Sequence, residues 1–352
     1  MIKILHSADW HLDSPMQLHS EDASREMRRR LLQIPEKMAA LCKAKGCDMV
    51  FLSGDLFDGA YTAEGLRLLK NALEEMAVPV FITPGNHDFV GSHSPWLTQV
   101  FPSNVHIFTR QAIEYKDIPE LNCRVYGAGF TSMDCAALLD GFYADSPMKY
   151  NLGIFHGDPT QTSSSYCPIT TDQVASSGLD YLALGHIQKG DSFRAGKTLC
   201  AWPGCPMGRG YDEQGDKGAL LVQVDDETRV DFIPLDNPRF YDLEAAPANL
   251  STALPPVGSN DFYRITLVGD SEPLNLAELY ETYSQFPNLV LRDRTVPPVD
   301  VWSSADDDTF EGIYFNLLRK NLENADEETK RRVQLAAKIS RQLLDGQEVT
   351  LL

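Results

Sequence analysis

The 352-residue sequence has no apolar run near the ~18 residues that a membrane-crossing helix requires, so no membrane span is expected. It has no CxxC pair either. Seven cysteines (Cys42, Cys47, Cys123, Cys135, Cys167, Cys200 and Cys205) are scattered and odd in number, and no matching pair or histidine completes a zinc site. Reduced, mostly buried thiols are expected. Positive charge is scarce: 31 Lys and Arg stand against 50 Asp and Glu, a formal charge of −19. No half of the chain is basic, since residues 1–238 carry −11 and residues 239–352 carry −8. Phosphate neutralisation supplies much of the affinity of nucleic-acid binders. Strong unaided binding of nucleic acid is therefore not expected, and bound cations or a basic partner would have to offset the charge. A leader peptide is not expected, because the run Met1–Leu5 is broken at once by His6, Ser7 and Asp9. The expectation is a mature chain that starts at Met1 and stays in the cytoplasm. There is no internal repeat.

What the sequence does have is five short motifs of Asp, His and Asn, each after an apolar run that reads as a strand. Asp9-Trp10-His11 follows Ile2–Leu5, and Gly54-Asp55-Leu56-Phe57-Asp58 follows Met49–Leu52. Gly85-Asn86-His87-Asp88 follows Val78–Ile82, His156-Gly157-Asp158 follows Leu152–Phe155, and Gly185-His186-Ile187-Gln188 follows Tyr181–Leu184. Asp9 and His11 are two apart, so on an extended segment both side chains leave one face, and His6 has the opposite parity of a structural residue. Gly54 lets the chain turn tightly before Asp55. Carboxylates, imidazoles and an amide at one sheet edge make a site for divalent cations. With no thiolate among them, the donors favour Mn, Fe, Zn or Mg over soft metals. A single DxH or GDxxD arises often by chance; five in this order do not.

Helical spacing of Met27, Leu31, Ile34, Met38 and Leu41 predicts a helix over residues 24–45, kinked or broken at Pro35. Residues 62–76 form a second amphipathic helix between two strands, which implies a parallel pairing. Strands without long helices between them follow at Cys123–Gly127, Thr198–Trp202, Gly218–Val224 and Arg229–Leu235. Residues 238–256 read as a crossing into a small βαβ-like unit: strand 262–268, helix 274–286, strand 289–291. Beyond Pro297-Pro298, Thr309 and Asp326 cap two helices, with Gly346 ending the second. The first places Phe310, Ile313, Tyr314, Leu317 and Leu318 on one face; the second has a Leu335, Ile339 and Leu343 stripe beside Lys330, Arg331, Arg332, Lys338 and Arg341. They either pack on the parent domain or form a partner-docking hairpin.

The series DxH, GDxxD, GNHD, H and GHx(H) over residues 9–188 resembles the calcineurin-like metallophosphoesterase superfamily. Within it the chain is most similar to SbcD-type DNA repair exonucleases of the YhaO-like branch, through His11-Leu12-Asp13-Ser14-Pro15, Gly54–Asp58, Pro203-Gly204-Cys205-Pro206 and Gly208-Arg209-Gly210. The resemblance implies an α/β (α+β) sandwich of two mixed β-sheets flanked by helices, with a small α/β cap and a C-terminal helical tail. The expected divisions are a nuclease domain at 1–238, a cap at 239–300 and a possible partner-docking segment at 301–352.

It also implies two divalent cations, Mn2+ foremost and Fe, Zn or Mg as other choices. Asp9, His11 and Gln188 would hold one, Asn86, His156 and His186 the other, and Asp55 would bridge them. Such a pair, ~3.5–4 Å apart, clamps a phosphodiester and makes a nucleophile of water. His87 would act as general acid with Asp88 orienting it, Asp58 would act behind the ligands, and Arg209 would bind substrate. The implied activity is hydrolysis of DNA as an exonuclease, with endonuclease activity as well. The implied partners are DNA, an SbcC-like coiled-coil ATPase and a second copy of the chain. Arg25, Arg28, Arg29 and Arg30 would touch phosphates or that copy, or else form a solvated face diluted by Glu21, Asp22 and Glu26.

The departure is Gln188, where the family usually has His. A neutral amide leaves three outcomes: a weaker first site tilted towards harder ions, a site filled only with substrate phosphate present, or lost catalysis. A small-molecule phosphoesterase and a scaffold with a weakened site are the alternatives.

Overall fold

The computed structural model describes residues 1–298, 300–323, 325–346 and 349; the last residues of the expected 301–352 tail lie outside them. In chain order the elements are β1 (Ile2–Ser7), α1 (Glu21–Leu31), α2 (Ile34–Lys45), β2 (Met49–Leu52), α3 (Ala63–Met76), β3 (Val80–Ile82), α4 (Pro95–Thr98), β4 (Val105–Ile107), β5 (Glu114–Ile118) and β6 (Cys123–Gly127). There follow β7 (Tyr150–His156), α5 (Thr171–Ser176), β8 (Tyr181–Gly185), β9 (Lys189–Ala195), β10 (Thr198–Gly204), β11 (Gly218–Val224), β12 (Arg229–Pro234) and β13 (Phe240–Ala245). The last are α6 (Leu250–Ala253), β14 (Phe262–Asp270), α7 (Leu276–Thr282), β15 (Leu289–Val296), α8 (Phe310–Lys320) and α9 (Glu327–Leu344).

Two six-stranded sheets have the orders β12-β11-β1-β2-β3-β4 and β5-β6-β7-β8-β10-β9. Both are mixed. β1–β2–β3–β4 and β6–β7–β8 run parallel, and antiparallel pairings occur towards the edges of each sheet. Strands buried on both faces read as continuous apolar runs, and β2 and β8 are buried at every position. One core fills the space between the sheets, with Phe51, Phe81 and Phe108 fully buried in it. A second lies under α1, α2 and α3, and a third under the loops beyond β6 and β7.

The predicted break at Pro35 falls at Leu32–Gln33, and Pro35 sits in the first turn of α2, where its missing N–H costs nothing. Thr62 caps α3 by accepting from the Gly65 amide. All seven cysteines are free and buried. Among the described residues no helix is long and apolar enough to cross a membrane.

The chain divides into two compact units, residues 1–241 with 260–262, and residues 242–259 with 263–352. The second contains most of the sheet β13-β14-β15, in which β14 and β15 pair in parallel across α7, the expected βαβ unit. Three details differ from expectation: the supposed crossing at 238–256 contains β13 and α6, α7 is shorter, and β15 runs on to Val296. Thr309 and Asp326 cap α8 and α9 as expected. Most of the α8 stripe stands in solvent: Phe310 is 88% exposed, Leu317 59% and Ile313 56%.

Candidate metal centre

Parallel strands bring their C-terminal ends to one edge, where binding sites of α/β sheets form. β1, β2, β3, β7 and β8 all end there, and each leads into one of the five motifs. The Asp9 and His11 amides donate to the Gly54 and Asp55 carbonyls, both at 3.0 Å, which fastens the first motif to the second. The extended geometry expected for Asp9-Trp10-His11 is corrected here. Asp9 has φ 54° and His11 φ 47°, so the pair converges through a left-handed turn rather than through strand parity. Asp55 (φ 52°) and His186 (φ 95°) are left-handed as well. Such backbone costs of order 1–3 kcal/mol per residue and concentrates at functional sites.

Two glycines leave room for the ligands. A Cβ on Gly54 would come within 2.4 Å of His156 Nδ1, and one on Gly85 within 2.2 Å of Asp55 Oδ1.

Asp9, His11, Asp55, Asn86 and His156 are buried, and His186 is partly so. Asn86 Oδ1 lies 2.9 Å from His156 Nε2 and 3.2 Å from His186 Nδ1. Asp55 Oδ2 lies 3.4 Å from His156 Nε2 and 3.9 Å from His11 Nε2. Asp9 accepts the His186 amide on both oxygens at 3.1 Å. Gln188 Nε2 lies 3.3 Å from His11 Nε2, so its amide faces the same centre. Two triplets, Asp9 with Asp55 and His156, and His11 with Asp55 and His87, have ligand atoms within 4.8 Å of one another.

The donor set fits divalent cations. His156 Nδ1 faces the Ser53 carbonyl at 2.9 Å and must donate to it, which leaves the lone pair of a neutral ring on Nε2. That lone pair points at Asn86 Oδ1 and Asp55 Oδ2, so three acceptors converge with no hydrogen between them. A proton or a cation between them relieves this. Burial works against charge on the His156 imidazole, but Asp55 and Asp9 outweigh it and raise its pKa to about 9. Burial pushes the Asp55 carboxyl up, yet His156 and His11 bring it net below the usual range. Burial lifts Asp9 to about 7 and lowers His186 to about 4.

His87 is half-exposed. Its Nδ1 lies 2.9 Å from Asp58 Oδ1, and this contact raises the imidazole's pKa. Asp58 also stands 3.4 Å from His11 Nδ1; His11 and His87 hold it well below the carboxylate range. The role expected of Asp88 is corrected: its buried carboxylate accepts the Gly85 amide at 2.7 Å, Leu56 at 2.8 Å and Asp55 at 3.2 Å. It braces the second and third motifs, and Asp58 orients His87. Asp158 caps its own turn by accepting from Thr160 and Gln161. His6 is structural, bonded to Tyr181, Ser53 and the Leu184 carbonyl.

Arg209 reaches the centre, its Nη1 3.9 Å from Asp58 Oδ2. Glu213, which the sequence reading missed, anchors it at 2.8 Å. Tyr166, also missed, lays its ring over His186 at 4.7 Å. Neither belongs to a motif, and no spacing rule marks them. Arg25, Arg28, Arg29 and Arg30 all pair with Asp22, Glu21 or Glu26, so the first helix presents mixed charge.

Residues 2–190 match the family model for calcineurin-like phosphoesterases. The chain is 32% identical over 236 residues to an uncharacterized metallophosphoesterase, YhaO, of Bacillus subtilis (strain 168). That match covers 63% of this chain and only 57% of the relative's length. It is 22% identical over 372 residues to the D subunit of the nuclease SbcCD of Staphylococcus epidermidis (strain ATCC 12228 / FDA PCI 1200), covering 91% of this chain and 95% of that protein. Of solved structures, a dimetal phosphatase from Danio rerio aligns over 65% of this chain and 98% of its own, at 12% identity and a TM-score of 0.44. With the family model spanning more than half the chain, and its strand-end ligands converging as described, the chain belongs to the calcineurin-like phosphoesterase family.

Proposed function

We propose that the chain is a metal-dependent phosphodiesterase acting on DNA, an exonuclease with endonuclease activity and a subunit of a DNA repair complex. The observation that carries the hydrolytic part is the convergence of Asp55, Asn86 and His156 acceptors on a point that suits a cation. Asp9, His11 and Gln188 would hold one ion, Asn86, His156 and His186 the other, with Asp55 between them. When bound, a divalent pair of this kind polarises phosphate oxygens and acidifies water. The chain's own residues supply the rest. His87, steadied by Asp58, donates a proton to the leaving sugar oxygen. Arg209, steadied by Glu213, takes a phosphate oxygen. Mn2+ is the expected metal, because a neutral Gln188 amide suits a harder ion than imidazole does.

DNA as substrate is favoured by the likeness to the SbcCD nuclease relative along 91% of this chain. An SbcC-like coiled-coil ATPase is the proposed partner, docked on the exposed α8 stripe; the functional assembly is a homodimer in the cytoplasm. We further propose the divisions at 1–238 (nuclease), 239–300 (cap) and 301–352 (partner docking).

One observation favours a second reading, a weakened scaffold: Gln188 points its amide at His11. Digestion of linear DNA with Mn2+, beside a small chromogenic phosphodiester, separates these readings. The proposal expects mononucleotides from DNA, abolished in Asp55→Ala and reduced ~10²–10⁴-fold in His87→Ala. Turnover of the chromogenic ester alone would favour a small-molecule phosphoesterase. Activity absent from the parent chain and gained in Gln188→His would favour the scaffold.

A further inference from the structure

Beyond the metal centre, the sandwich opens between the end strands of its two sheets, β9 with β10 on one side and β11 with β12 on the other. The opening is a cleft of about 450 Å³, within the ~300–1,000 Å³ of small-ligand sites. One wall is apolar: Val230 and Phe232 line it, and Phe232 stands 43% exposed on β12.

The other wall holds Lys217. This lysine is only 9% exposed, and its ammonium donates to the Gln188 carbonyl at 3.2 Å. No carboxylate pairs with it among the described residues. The bond to Gln188 uses one of its three donors, and two remain for a ligand. Lys189 stands on the rim. Of the acidic groups at the cleft, Asp216 is engaged with Arg239 at 2.6 Å and Asp191 accepts the Ser192 amide at 2.7 Å.

Gln188 joins this cleft to the metal centre: its main chain receives Lys217, and its side chain faces His11. We infer that the cleft is a nucleotide subsite, with Lys217 and Lys189 on a phosphate and Phe232 against the base. A π-face suits every base, so the wall gives grip without sequence choice. The inference rests on the phosphodiesterase reading above and adds where the nucleotide beside the scissile phosphate sits.

Binding of deoxyadenosine monophosphate, followed by calorimetry in EDTA, tests it, because EDTA removes any contribution from bound cations. The subsite predicts saturable binding of the nucleotide, weaker binding of inorganic phosphate and weaker binding of deoxyadenosine. Phe232→Ala should weaken the nucleotide at least ~5-fold, the low end for loss of one base stack, and leave inorganic phosphate unchanged. Lys217→Met should abolish binding of both phosphate-bearing probes. Phe232 is exposed, so that variant keeps the test decisive even where Lys217→Met fails to fold. Nucleotide binding that neither substitution changes, or no binding at millimolar concentration, overturns the subsite. DNA digestion with no such binding would sink the subsite and spare the nuclease reading. Binding without digestion would do the reverse.

Discussion

At the residue scale, space around Gly85 is as much a part of the centre as the ligands are. An alanine there would drive its methyl group within 2.2 Å of Asp55 Oδ1 and 2.7 Å of His156 Cε1. Both are central ligands, His156 at the end of β7 and Asp55 in the turn after β2 braced by Asp88, so neither yields cheaply. Gly85→Ala is expected to weaken Mn2+ binding by more than about tenfold in calorimetry, the equivalent of ~1.4 kcal/mol. Asp58 and Asp88 should separate in the same sense. Asp58→Asn should lower turnover, since it removes the carboxylate that orients His87. Asp88→Asn should cost about 1–3 kcal/mol of stability, read by denaturant unfolding, because its amide group meets backbone N–H donors that the carboxylate now satisfies.

His6 gives a pH signature away from the ligands. Burial lowers its pKa to about 3, against 6.5 for the unfolded chain. The native state therefore keeps His6 neutral, while the unfolded state takes up a proton as pH falls below about 6.5. Stability is fully present above that value and is lost on acidification towards about 3, by up to ~1.4 kcal/mol per pH unit from this group. Unfolding midpoints between about pH 7 and 5 should fall more steeply in the parent than in His6→Gln. Equal slopes would remove His6 as the cause.

At the element scale, the strand ends carrying the motifs were legible in the sequence because each strand is mostly apolar and is followed at once by polar motif residues. The Pro35 break and the caps at Thr309 and Asp326 were legible for local reasons too. What was hidden is long-range. The left-handed turn at Asp9 and His11 exists because their amides pair with Gly54 and Asp55, over forty residues away. β15 continues through Arg292-Asp293-Arg294, a charged run that its pairing with β14 holds extended. Lys217 and Glu213 look like ordinary surface charges until the fold buries them. The α8 face is legible but largely exposed. Replacing Phe310 and Leu317 with Ser should change stability by under ~0.5 kcal/mol and abolish capture of an SbcC-like ATPase. A large loss of stability instead would make the face part of the chain's own core.

For the whole molecule, −19 is the term that a DNA-acting reading must overcome. Two divalent ions would cancel about a fifth of it, and they would do so at the centre, where the phosphate must sit. DNA binding should accordingly be weak in EDTA and rise with Mn2+, with a shallow salt dependence that reports few phosphate contacts. The central claim is the paired-cation centre itself, and electron paramagnetic resonance of the Mn2+-loaded protein tests it most directly. The account predicts two ions per chain whose spins are coupled through Asp55, with the coupling gone in Asp55→Ala. Manganese that binds singly and uncoupled, with an unchanged signal in that variant, would contradict it.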